Sequence, residues 1–169
     1  MKKQSLLLIG LLFLLTIGTR LIPHLSNFTP IFALGLLAGF LTKKKYMAIG
    51  IGFAALIISD IFVGFYPQVW GVYAATGVSI FLSIMFLKNQ SGKSIAKSSF
   101  IAPTVFYLLS NIVAFFAWYP VTFEGFVSCY YNAIPFYGYS LLSTFAYSYA
   151  FFGLHKLVAK ENPGPVLNK

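Results

Sequence analysis

The chain has 169 residues, of which 59% are hydrophobic and only 9% charged, where a soluble domain carries about a quarter charged residues. The long apolar runs exclude an ordinary soluble domain and read as helices rather than as a lipid-facing barrel. The formal charge of +9 is no nucleic-acid footprint, because the lysines sit in short clusters between apolar runs as topology signals do, and one Cys leaves neither an intrachain disulfide nor a CxxC site.

Met1-Lys2-Lys3 followed by Leu6 to Leu15 imitates a signal peptide. Thr16-Ile-Gly18 is its only small-x-small cleavage candidate and the apolar run continues to Ile22, so the segment reads as a retained first helix, residues 5–19 or 5–21. The first polar break, Arg20 to Pro30, holds the only Arg, a His, two Pro and an Asn. Backbone this irregular cannot face lipid, where unpaired N–H and C=O groups are costly, so it must meet water or line a cavity. Thr29 as N-cap and Pro30 at the first helical position start a second helix that ends at Thr42, short for a span. Lys43-Lys44-Lys45 follows. Helix 3 covers residues 46–65 and is broken by Pro67. Helix 4 covers 69–87, residues 88–97 form a plain loop, and helix 5 covers 98–118. Residues 119–131 make the longest outer loop, and helix 6 covers 132–158. Residues 1–160 thus form a single all-α domain of six transmembrane helices, with 161–169 a flexible cytoplasmic tail.

With the N-terminus inside, every lysine falls on the cytoplasmic side and Arg20 alone falls outside. The expected protein is multi-pass, sits in the lipid bilayer of a bacterial plasma (inner) membrane and has both termini cytoplasmic. The same topology gathers polar and aromatic residues at the outer ends: Arg20, His24, Asn27, Asp60, Trp70, Tyr73, Asn111, Trp118, Cys129, Tyr130 and Asn132. These are the candidate ligand-binding residues.

Asp60 is the only acid within an expected span, about 20 Å along helix 3. An intramembrane carboxylate is paired or functional. It reads as a ligand contact or cation site, or equally as an ion pair with Arg20 or a cap for the Phe65-Tyr66-Pro67 turn, with Ser59 a local backbone partner. His24 can bind metal, titrate or hydrogen-bond a substrate. With no second outer His, a loop histidine bonded to backbone is the better reading. Asn27 can satisfy the turn before Pro30 or read a ligand amide. Asn111 needs a partner, either another helix or a ligand. Trp70, Tyr73, Trp118 and Tyr130 fit an interfacial belt or a stacking box. Cys129 reads as a soft ligand or, better, as an inert buried thiol. Gly35/Gly39 and Gly50/Ala54 allow close internal packing or the docking of a membrane partner. No catalytic motif, metal site or resident cofactor is expected, so the chain does not read as an enzyme.

Arg20-x-x-Pro-His24-x-x-Asn27-Phe-Thr-Pro30, Ser59-Asp60, Asn111, Tyr-Pro120, Gly125-x-x-x-Cys129-Tyr and Ile-Pro135-Phe resemble a family of uncharacterised bacterial membrane proteins. By topology that family is similar to the substrate-binding (S) components of energy-coupling-factor transporters. The resemblance implies a six-helix bundle, an outer pocket and uptake of a vitamin-like or metal-ion substrate, with a possible ATP-driven energising module in trans. The expectation is a substrate-capture component for a small-molecule ligand, with Arg20 suited to a carboxylate or phosphate. The alternatives are a structural or assembly membrane protein, and a membrane-embedded enzyme pairing Asp60 with His24.

Overall fold

The computed structural model describes residues 3–23 and 25–161. His24 and the tail from residue 162 onward, both given roles by the sequence, lie outside the described residues. The chain forms α1 (Lys3–Leu21), α2 (Ile31–Thr42), α3 (Lys45–Val63), α4 (Val69–Phe86), α5 (Gly92–Trp118), α6 (Phe123–Asn132) and α7 (Ile134–Glu161), with no strand among the described residues. Four of these, α1, α3, α4 and α5, are long and apolar enough to cross a membrane. This is the build of an all-α membrane protein.

Helix α2 is the axis of the bundle. Its sequence is apolar on every side, and such a helix is stable only when enclosed. Every residue from Ile31 to Gly39 is buried, with α1, α3, α4, α5 and α7 packed around it. At twelve residues it rises only about 18 Å. Two glycines set how closely its neighbours approach. A Cβ on Gly39 would stand 2.7 Å from the Ala48 Cβ and 2.6 Å from Ile84, and one on Gly35 would lie 3.1 Å from Ile80, whereas Gly50 meets nothing within 4 Å. Gly35 and Gly39 therefore serve internal packing. The Ala48 Cβ has no rotamer through which to retreat, so Gly39→Val should destabilise the protein by about 1–3 kcal/mol. Gly50→Val, facing open space, should stay within about 0.5 kcal/mol. Melting of the detergent-solubilised variants checks the contrast.

The expected boundaries need four corrections. Helix α5 begins at Gly92 rather than Ser98, because Ser91 is extended and its Oγ accepts the Ser94 N–H at 3.3 Å. The Gln-Ser-Gly expected as plain loop is in fact a cap. The outer segment 119–131 is not all loop: Thr122 caps α6 by accepting the Gly125 N–H at 3.1 Å. Thr29 makes no cap for α2, whose N-cap position is Pro30. Helix α3 stops at Val63, where Gly64 turns to φ 108° and its N–H bonds the Asp60 carbonyl at 2.8 Å. Only glycine takes that turn without strain.

The two ends of the bundle differ in chemistry. Lys43, Lys45 and Lys88 share a hollow at one end, where Gln90 meets His155 at 3.0 Å. Arg20, Asp60 and the turn around Asn27 meet at the other end.

Candidate functional site

Arg20, in the last turn of α1, reaches across to α3. Its Nη2 pairs with the Asp60 Oδ1, and the other carboxylate oxygen accepts a hydrogen bond from the Tyr73 hydroxyl on α4 at 2.9 Å. The side chains are only 18% and 4% exposed. An ionised carboxylate in that setting survives because both oxygens receive strong donors. The ion-pair reading of Asp60 is therefore realised, with Tyr73 as a third member. Asp60 also helps the following turn, through its main-chain carbonyl rather than its side chain. The Arg20 Nε is buried and, among the described residues, has no hydrogen-bond partner.

Beside this triad lies a cleft with two adjoining lobes. The polar lobe, about 420 Å³, is lined by Arg20, Ser26, Thr29, Asp60 and Thr76 among others. The aromatic lobe, about 280 Å³, is lined by Tyr107, Asn111, Trp118, Phe136 and Tyr137. Asn27, Tyr66, Val72, Phe106 and Ser140 line both lobes, which therefore adjoin. These volumes match small-molecule sites. Tyr107 and Tyr137 stack with centroids 4.8 Å apart and form a flat wall. Their hydroxyls are fixed elsewhere, Tyr107 to the Tyr130 carbonyl at 2.7 Å and Tyr137 to Thr104 at 2.8 Å. Asn27 takes φ 63°, a conformation asparagine tolerates, and its carbonyl accepts from Ser143 at 3.5 Å. Burial first, and the Asp60 carboxylate second, push the Tyr66 phenol above its ordinary 10.0, against a smaller opposing pull from Arg20. Tyr66 is therefore a protonated donor across the physiological range.

The other candidates fall into three groups. Arg20, Asn27, Asp60, Asn111 and Trp118 line the cleft. Tyr73 and Cys129 stand behind it. Tyr73 holds Asp60, and the buried Cys129 thiol donates to the Asn111 carbonyl at 3.5 Å. Asn111 in turn donates to the Tyr107 carbonyl at 2.7 Å, so its partners are its own helix and α6. Ser59 bonds the Leu56 carbonyl at 2.8 Å, as a local partner should. Trp70, Tyr130 and Asn132 do not line the cleft. Trp70 is 76% exposed on the flank of α4, Tyr130 donates to the Leu108 carbonyl at 2.8 Å, and Asn132 reaches the Tyr119 hydroxyl at 3.4 Å. Among the described residues no three His, Cys, Asp or Glu side chains gather as a metal site.

Sequence reasoning missed Phe106, Tyr107, Tyr137 and Ser140, and placed Tyr66 in the turn after helix 3 without giving its side chain a role. One signal was present. Pro103, Tyr107 and Asn111 recur at intervals of four, so they share the face of α5 that the flagged Asn111 already marked as inward.

No curated protein and no solved structure matches the chain. Its residues 1–166 match DUF6580, a family of unknown function, and the chain belongs to that family.

Proposed function

We propose that this protein is a membrane-embedded capture component that takes a small molecule from the extracytoplasmic side of a bacterial plasma membrane. Six passes, α1 to α5 and α7, would place all lysines and both termini in the cytoplasm, with α6 lying over the outer end. The observation that carries the reading is the two-lobed cleft, set at the end of the bundle away from the lysine hollow and bounded by a polar and an aromatic wall. In its layout the arrangement resembles an energy-coupling-factor S component, and uptake would then need an ATP-driven module in trans.

The chemistry of the walls refines the ligand. Arg20 is already neutralised by Asp60, so a carboxylate or phosphate would leave a net negative charge in a poorly solvated place. The unpartnered Nε and the Tyr66 hydroxyl instead favour a neutral hydrogen-bond acceptor, such as a carbonyl or ring nitrogen. The stacked tyrosines favour a flat ring beyond it. The ligand class is therefore a neutral, partly planar molecule, in place of the anion suggested by Arg20 alone.

A second reading, an assembly protein without ligand, is favoured by one observation: both Asp60 carboxylate oxygens are already engaged, by Arg20 and by Tyr73. Mass spectrometry of small molecules extracted from the purified protein separates the two. Capture predicts a neutral compound retained near one per chain by the wild type and lost from Tyr137→Leu while the variant still folds. Identical, empty extracts from both proteins would leave only the assembly reading.

A further inference from the structure

The hollow at the lysine end, about 470 Å³, lies where the C-terminal ends of α2 and α4 meet the first turn of α3. Lys43, Lys45 and Lys88 line it, and among the described residues no acidic side chain does. The only ion pair among the described residues is the distant one between Arg20 and Asp60, so among the described residues these three ammonium groups have no carboxylate within ion-pair distance. Lys43 takes the left-handed conformation, φ 57°, which reverses the chain and brings Lys43 and Lys45 to the same hollow. The Lys44 amine goes instead to the Tyr46 ring at 5.7 Å.

Neutralising the carbonyl ends of α2 and α4 is the ordinary role of lysines here. Two further observations go beyond it. The floor is apolar, made of Gly39, Phe40, Leu41, Ile84 and Leu87. It also continues along one stripe of α4, because Phe81, Ile84 and Met85 share a face at helical spacing. Phe81 and Met85 on that stripe are exposed, and the Lys45 amine lies 5.3 Å from the Phe81 ring. A free inorganic anion would use the lysines and leave the stripe uncovered. A molecule with an anionic head and an apolar tail uses both.

We propose that this hollow binds one anionic phospholipid, its phosphate among Lys43, Lys45 and Lys88 and an acyl chain along Phe81 and Met85. Basic pockets between membrane helices recognise headgroups in this way, each lysine near the charge adding about fivefold to affinity. The site stands apart from the outer cleft, and neither reading depends on the other.

The test is native mass spectrometry of the full chain in micelles doped with phosphatidylglycerol or phosphatidylcholine of matched acyl chains. The wild type should retain phosphatidylglycerol about a hundredfold over phosphatidylcholine, from three charges at about fivefold each. Combining Lys43→Gln, Lys45→Gln and Lys88→Gln should remove that preference, while Lys93→Gln, outside the hollow, should leave it unchanged. Inorganic phosphate at about 10 mM should not displace the lipid, since it cannot replace the tail contacts. Equal retention of the two lipids would overturn the proposal, and so would an equal loss in Lys93→Gln. Displacement by phosphate would reassign the hollow to a free anion. Capture of a short polyglutamate peptide with no lipid preference would reassign it to an acidic protein partner.

Discussion

Asp60→Asn should destabilise the protein by about 1–3 kcal/mol and lower its folded yield, while Arg20→Met combined with Asp60→Leu, in a Tyr73→Phe background, should recover most of that loss. The single change removes the charge that Arg20 faces and leaves a guanidinium that is only 18% exposed without a counter-ion. Breaking a fully buried pair costs about 3–5 kcal/mol, and the partial exposure of Arg20 reduces that figure. The Tyr73 hydroxyl keeps an acceptor in the asparagine oxygen, so that bond is not the source of the loss. In the double variant, made together with Tyr73→Phe so that no buried hydroxyl loses its Asp60 acceptor, neither a charge nor a strong donor is stranded, and apolar side chains of similar size commonly replace such a cluster with little net cost. This separation of folding from function tests the capture reading. The double variant should fold yet retain no co-purifying compound, because the polar lobe has lost the Nε donor. A double variant that folds and still holds the compound seen in the wild type would remove Arg20 and Asp60 from the site.

Much of the architecture was legible because membrane chains advertise it. Lysine clusters, apolar runs and the Pro-bearing breaks placed six of the seven helices in order, α1 to α5 and α7. Helix α6 escaped because ten residues with mixed polarity carry no span signal. Its cap, Thr122 with Gly125, is the sort of local pattern that outranks hydropathy at a helix start. The start of α5 escaped for the same reason, with Ser91 and Ser94 embedded in a stretch that looks like loop. At the site, Arg20 and Asp60 were the only Arg and the only acid in an expected span, so their pairing stood among the readings from the outset. Tyr73 as a third member was not legible, since it depends on how the Gly64–Gln68 turn folds α4 back against α3. The aromatic lobe was hidden by a bias: Tyr and Phe inside spans resemble lipid-facing residues. Tyr107 and Tyr137 differ in that each hydroxyl has a fixed partner, which lipid cannot supply.

Gly125→Ala should be among the most damaging single-methyl changes in the chain. A Cβ there would lie 2.1 Å from the Pro120 carbonyl oxygen and 3.1 Å from its carbon. These are main-chain atoms, and the same carbonyl accepts the Thr122 N–H at 2.8 Å, so it cannot move without undoing the turn that caps α6. The expected cost is about 3 kcal/mol, at the upper end of overpacking effects. The damage should be local first, because α6 is held to α5 by few bonds: the Tyr130 hydroxyl to Leu108, the Tyr107 hydroxyl to the Tyr130 carbonyl, and the Cys129 thiol to Asn111. Cys129 reports on this directly. It is buried in the wild type, and burial pushes its thiol above the ordinary 9.0, so a maleimide should label it slowly. Labelling should accelerate at least about tenfold in Gly125→Ala, since an opening that costs 1.4 kcal/mol less is populated ten times more. Gly138→Ala, where a Cβ meets nothing within 4 Å, should label as the wild type does. Wild-type melting together with a still unreactive Cys129 in Gly125→Ala would mean that the Pro120 segment gives way freely, and that α6 does not depend on the contact between Gly125 and this carbonyl.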